Sequence, residues 1–300
     1  MIKVLKFAAI DIGSNAARLL LTNVVEDGGS TFFRKSSLVR MPLRLGEDAF
    51  GVGVITEQRV EKLVKTMIAY RNLMEVEDVV AYKACATSAM REAFNSKEVV
   101  DYVRDKAGVD IEIIDGKREA EIIYSNEIVE MLNDSNPYLY MDVGGGSTEI
   151  TLFENRMNVA SHSFNIGTIR MLKGKVTEDD IDEMKAWVKA LDVKKRNPKI
   201  IGSGGNINKI YKLSGKKTDS EPLLYSEFKE LYKFLQYYTV DERIKVLGMN
   251  PDRADVVIPA AKIYLKVMKW AGVKQMIVPT IGVSDGIIHM LYREYKSIQK

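Results

Sequence analysis

The sequence predicts an α/β protein built from two similar domains, and three observations carry that prediction. The stretches FAAIDIGSNAARLLLTNV (7–24) and YLYMDVGGGSTEITLFEN (138–155) share one plan: an apolar run, an aspartate, Ile or Val, a glycine, small or polar residues, then an alternating strand. Their aspartates, Asp11 and Asp142, lie 142 − 11 = 131 positions apart, about the size of one domain. Around them, helix-period stretches alternate with short apolar runs, the pattern of sheets covered by helices. Either stretch by itself is an ordinary hairpin with a glycine turn. Its repetition at one-domain spacing favours duplication.

Taken in order, MIKVLKFAAIDIG reads as a core strand. Asp11 interrupts its apolar run and no small-residue cleavage site follows, which argues against a signal peptide. In 56–74, Val60, Leu63, Val64, Met67 and Ile68 mark one helix face, with Thr56 as N-cap. DVVAYKACATSAM is a strand followed by a turn, and VDIEIIDG is another strand. KREAEIIYSNEIVEML is helical, with Ala120, Tyr124, Ile128 and Met131 or Leu132 as its apolar stripe and Lys117–Glu121 as an i,i+4 pair. A domain boundary is expected near 124–137, ending at SNP. TEDDIDEMKAWVKAL (177–191) is an amphipathic helix with acidic residues in its first turn, as the helix dipole favours. PKIIGSGGNINKIYKL (198–213) is strand, glycine turn and helix; ADVVIPAAKIYLKVMKWAG (254–272) is a long helix; VKQMIVP is a strand.

The 300 residues, 46% hydrophobic and 28% charged, have the composition of an ordinary globular chain. Lys and Arg total 44 against 41 Asp and Glu. That balance gives no reason to expect DNA, while a local basic groove for a small or linear polyanion stays open. Cys85 is the single cysteine, so an intrachain disulfide is excluded and a cytoplasmic location is expected. Two histidines, His162 and His289, leave little for a zinc site. No segment is apolar for long enough to span a bilayer, so no membrane partner is expected.

A glycine-rich turn after a core strand bares backbone N–H groups that can converge on an anion. Gly144, Gly145, Gly146 and Ser147 form one such turn, with the Thr148 hydroxyl as a further donor, and Gly13, Ser14 and Asn15 form its counterpart. Asp11, Asp142 and Glu149 are hard oxygen ligands beside these turns, suited to Mg²⁺, which is held by one or two carboxylates plus phosphate and water. The alternative for the aspartates is turn capping. In ATSAMREAFN (86–95), Thr87 or Ser88 caps a helix whose first amides and Arg91 suit a phosphate; an ordinary capped helix with a surface arginine fits as well. Glu119 stands near the start of the helix after DGK, where the dipole favours its ionised form. There it could activate a water, or it could be one more solvated glutamate. GSGGN (202–206) lacks the full dinucleotide-binding glycine pattern.

DIGSN, ATSAMREAFN, DGKREAEIIY, DVGGGSTE, NIGTIRML, IGSGGN and VSDG occur in the order seen in the exopolyphosphatase and guanosine pentaphosphate phosphohydrolase family (Ppx/GppA), which the chain resembles over essentially its whole length. The resemblance implies two ribonuclease-H-like domains of the actin, sugar-kinase and Hsp70 superfamily with a cleft between them. The expected division is 1–125 plus 287–300 against 126–286. It implies Glu119 as catalytic base, Asp142 and Glu149 tied to Mg²⁺ and the attacking water, Gly144–Ser147 and Gly13–Asn15 as phosphate loops, and Arg91 as a phosphate contact. Arg118 stands where the family has an acidic residue, and Ile287 to Met290 depart from its pattern after VSDG. Asn206 replaces a common threonine as an expected N-cap. The chain resembles the short, two-domain form. The implied activity is Mg²⁺-dependent release of phosphate from the end of inorganic polyphosphate, or from guanosine pentaphosphate (pppGpp), with a homodimer as candidate assembly. A kinase and a non-catalytic polyphosphate or nucleotide sensor are the competing readings.

Overall fold

The computed structural model describes residues 2–124, 136–216, 218 and 221–299. Its contacts divide the chain into two compact units, Met1–Ile128 with Gly282–Lys300, and Val129–Ile281. Most of the boundary expected near 124–137 lies outside the described residues, as do the Tyr124 side chain, Ile128, Met131 and Leu132 of the expected helix stripe.

The first unit runs β1 (Lys3–Ile12), β2 (Ala16–Asp27), β3 (Ser30–Pro42), α1 (Leu45–Ala49), α2 (Glu57–Val76), β4 (Ala81–Ala86), α3 (Ser88–Glu92), α4 (Ser96–Ala107), β5 (Ile111–Ile113) and α5 (Gly116–Tyr124). Its sheet order is β3-β2-β1-β4-β5. β1 pairs antiparallel with β2 and parallel with β4. This is the ribonuclease-H-like arrangement. Phe7 to Ile12 are all buried, as expected of a central strand covered on both faces. The last helix, Val283–Ile298, belongs to this unit and packs on β1, β4, β2 and α5.

The second unit runs β6 (Tyr138–Val143), β7 (Thr148–Glu154), β8 (Met157–Phe164), α6 (Thr168–Leu172), α7 (Glu178–Ala190), β9 (Lys199–Ser203), α8 (Gly205–Leu213), β10 (Leu223–Leu224), α9 (Tyr225–Gln236), α10 (Val240–Lys245), α11 (Pro251–Ala254), α12 (Val257–Ala271) and β11 (Gln275–Ile277). Its order, β10-β11-β9-β6-β7-β8, repeats the pattern around β6 that the first unit builds around β1. Leu139, Met141, Ile150, Ile200, Ile207, Val257 and Met276 lie in its core. The Tyr264 hydroxyl, fully buried on α12, donates to the carbonyl of Ser203.

Local expectations differ from the structure in three places. The long helix expected over 254–272 is α12, ended by Gly272 as expected, but it starts three residues later, at Val257. Pro259 has no N–H to give the carbonyl four residues back, so it sits in the first turn of a new helix, where none is needed. Glu121 takes its cation from Arg118 at 3.1 Å, not from Lys117. The N-cap of α8 is Gly204, with φ of 107°, and Asn206 lies inside the helix. The acidic first turn expected of α7 is present, and Thr177 caps the helix, its hydroxyl accepting from the Asp180 amide while Asp180 accepts from the Thr177 amide.

Candidate active site

Both units carry the same hairpin turn. The Gly13 amide donates to the Ala16 carbonyl at 3.1 Å, and the Gly144 amide to the Ser147 carbonyl at 2.9 Å. In each unit a short helix after the third strand ties down the loop's carbonyls. In the first, Gly46 N–H reaches the Ser14 carbonyl at 2.8 Å, and those of Leu43 and Arg44 reach the Asn15 carbonyl at 3.2 and 2.8 Å. In the second, Thr168 N–H reaches the Gly144 carbonyl at 3.0 Å and Ile169 N–H the Gly145 carbonyl at 2.8 Å. The Gly146 carbonyl is held by the Nε–H of Arg170 at 2.8 Å. Such close approach needs glycine. A Cβ at Gly167 would stand 2.3 Å from the Gly146 carbonyl carbon.

A trans peptide points its N–H opposite its C=O, and no cis peptide is present among the described residues. With the carbonyls of 144, 145 and 146 directed toward α6, the amides of Gly145, Gly146 and Ser147 turn the other way. That displays three donors from one short loop, an arrangement able to take an anion. The Ser14 hydroxyl is already hydrogen-bonded to that of Ser88 at 2.8 Å.

Strand register decides what stands beside each loop. Asp142 on β6 pairs with Glu149 on β7, and their neighbours in register are Ser203 on β9 and Ser163 on β8. Residues paired across strands share a face, with Cβ atoms roughly 4.5–5.5 Å apart. The row therefore reads Ser203, Asp142, Glu149, Ser163. Ser203 Oγ donates to Asp142 Oδ2 at 3.2 Å, and Ser163 Oγ donates to Glu149 Oε1 at 2.8 Å. Glu149 is 3% exposed. Gly204 keeps the end of the row open, since a Cβ there would lie 2.8 Å from Asp142 Oδ1.

Two carboxylates opposite each other in a sheet repel, and burial strengthens the repulsion. A divalent cation relieves it, so this pair fits Mg²⁺ in charge and in donor type. Among the described residues no three His, Cys, Asp or Glu side chains gather as a metal cage. Asp11 differs. Expected as a third ligand, it lies in the other unit and already has a cation: Arg18 Nη1 donates to its Oδ2 at 3.0 Å. Burial pushes the Asp11 carboxyl up from its ordinary value, and the Arg18 charge opposes that shift.

Glu119 lies in the first turn of α5 and is 7% exposed, so it is no solvated surface glutamate. Asp115 shapes that turn, its side chain accepting from Arg118 N–H at 2.7 Å and its carbonyl from Glu119 N–H at 3.0 Å. Gly286 seats α5 against the last helix; a Cβ there would stand 2.1 Å from the Ile122 carbonyl oxygen. Arg91, expected to face phosphate, donates through Nη1 to the Ile114 carbonyl at 2.8 Å. Four residues of this constellation escaped sequence reasoning: Arg18, Ser163, Arg170 and Ser203. Of these, Arg18 was readable from the repeat, standing at the place that Glu149 holds in the second copy.

The Ppx/GppA phosphatase family model matches residues 25–294. The chain belongs to that family. A bifunctional 3-dehydroquinate synthase/phosphatase of Fusobacterium nucleatum is 29% identical over 88% of this chain, which spans 43% of that relative's length. Exopolyphosphatase 2 of Mycobacterium tuberculosis is 25% identical, with 94% of this chain and 97% of that protein covered. Among solved structures, an exopolyphosphatase from Cytophaga hutchinsonii superposes with a TM-score of 0.83 at 25% identity, over 96% of this chain and 98% of that one. The Ppx/GppA member of Aquifex aeolicus gives 0.76 at 23%, over 98% and 99%. These likenesses support the two-domain fold.

Proposed function

We propose that this protein hydrolyses a terminal phosphoanhydride and releases orthophosphate from the end of inorganic polyphosphate. One observation carries the reading: the second unit sets a loop with its amides turned outward beside two facing carboxylates, Glu149 buried and Asp142 half-buried. The amides of Gly145, Gly146 and Ser147 bind the terminal phosphoryl oxygens and stabilise charge as the bond to the chain breaks. Asp142 and Glu149 hold Mg²⁺, with Ser203 and Ser163 fixing the direction of each carboxylate. When bound, the ion neutralises phosphate charge that the protein would otherwise have to offset. Glu119 orients a water and takes its proton as the oxygen attacks phosphorus in line with the leaving phosphate. Polyphosphate is placed ahead of pppGpp as the substrate. Relatives named exopolyphosphatases support the same choice.

The test is phosphate release with Mg²⁺ from polyphosphates of several lengths, from pppGpp and from ATP, with Glu119→Gln as control. The expected result is release from polyphosphate, lowered roughly 10²–10⁴-fold in Glu119→Gln. Faster turnover of pppGpp would reassign the substrate. Release unchanged in Glu119→Gln would remove it as the base, and no release from any substrate would favour a sensor.

A further inference from the structure

We propose that Arg170 is a positioning residue for phosphate binding, holding the glycine loop with its amides displayed. The proposal rests on the reading that this loop binds phosphate. Arg170 is 9% exposed, so its guanidinium is a buried charge. Its Nε–H donates to the Gly146 carbonyl and its own N–H to the Gly145 carbonyl at 3.1 Å. Fixing the Gly146 carbonyl fixes the Ser147 amide, the other end of the same peptide.

The first unit shows that a side chain is not required for such a brace. There the equivalent carbonyl, that of Asn15, is held by two backbone amides, Leu43 and Arg44. In the second unit Gly167 lets the chain approach so closely that a Cβ would overlap Gly145 and Gly146. The brace at Gly146 then comes from a guanidinium. Substituting a charge for neutral amides adds a fixed positive charge on the carbonyl side of the loop. Burial makes that charge act more strongly on a bound phosphate than an exposed one would. Arg170 thus contributes geometry and field together, without touching substrate.

The test separates this role from folding and from catalysis. Binding of tripolyphosphate, without added metal, is measured by calorimetry in a Glu119→Gln background, where turnover is suppressed. Arg170→Gln is expected to raise Kd at least about 10-fold, the scale of a lost charged hydrogen bond. Arg170→Lys keeps the charge but not the planar donor, and about a threefold rise is expected. Thr177→Ala, which breaks the capping box of α7 in the same unit, should lower the melting temperature and leave Kd unchanged. Unaltered Kd in both Arg170 variants, or an equal rise in Thr177→Ala, would overturn the proposal. Because binding is read without turnover, a wild-type protein inactive on polyphosphate would defeat the functional reading alone.

Discussion

In the first unit Asp11 stands opposite Arg18 across β1 and β2; in the second Asp142 stands opposite Glu149 across β6 and β7. The offset is the same, 18 − 11 = 7 and 149 − 142 = 7, and so is the turn between the paired strands. Opposite the aspartate the first row has Arg18 and the second Glu149, and the flanking positions differ too, Cys85 and Arg40 against Ser203 and Ser163. The first pairs its aspartate with a cation, whereas the second sets two carboxylates opposite each other, the row proposed above to hold a divalent ion. Duplication therefore supplied two scaffolds of one shape, and electrostatics gave them different work.

The sharpest way to break this comparison is to make the second row like the first. Glu149→Arg should pair with Asp142 as Arg18 does with Asp11. Phosphate release is expected to fall about 10³-fold, the scale of losing a transition-state charge stabiliser, with the melting temperature not lowered. Retained activity would show that the acidic pair is not needed.

A smaller effect comes from unbalancing the first row. Arg18→Ala leaves the Asp11 carboxylate buried without its cation. The cost should be about 2 kcal/mol, below the 3–5 kcal/mol of fully buried pairs because Arg18 is 31% exposed. The pH dependence has a definite sign. Burial raises the Asp11 carboxyl above its ordinary 3.8, so ionised Asp11 disfavours the folded state. That penalty appears as pH rises through the raised value and is absent below 3.8. Chemical unfolding across acidic pH should therefore show the Arg18→Ala deficit shrinking as pH falls. A deficit constant with pH would mean Asp11 is not the group responsible.

Smallest is the loss of one orienting hydroxyl. Ser163→Ala frees Glu149 Oε1 from its 2.8 Å donor. Divalent-ion affinity should weaken about 10-fold, the lower end for groups that orient metal ligands. Calorimetric titration would read this, and unchanged affinity would show that the sheet alone aims the carboxylate.

The duplication was legible because an apolar run stopped by Asp and glycine is a short, local signal. Glu119 and the two glycine loops were legible as candidates for the same reason, since each belongs to a contiguous motif. What sequence could not show was register. Ser163 and Ser203 join the carboxylate row only because β8 pairs with β7 and β9 with β6, and those pairings are set by the whole sheet. Asp11 was expected to act with Asp142, yet the residue seven positions on had already given it a partner. Arg170 lay inside a quoted motif, but its contact with Gly146 depends on the close backbone approach that Gly167 permits. The later start of α12 was written in Pro259, which takes a place in a helix's first turn.

The two rows differ, on the proposal above, in that the second binds a cation and the first does not. Titration with Mn²⁺ as a spectroscopic substitute for Mg²⁺, followed by electron paramagnetic resonance, tests it directly in wild type, Asp142→Asn and Asp11→Asn. One site is expected in the wild type, weakened at least about 10-fold in Asp142→Asn and unchanged in Asp11→Asn. Equal weakening in both variants, or no bound Mn²⁺ in the wild type, would contradict it.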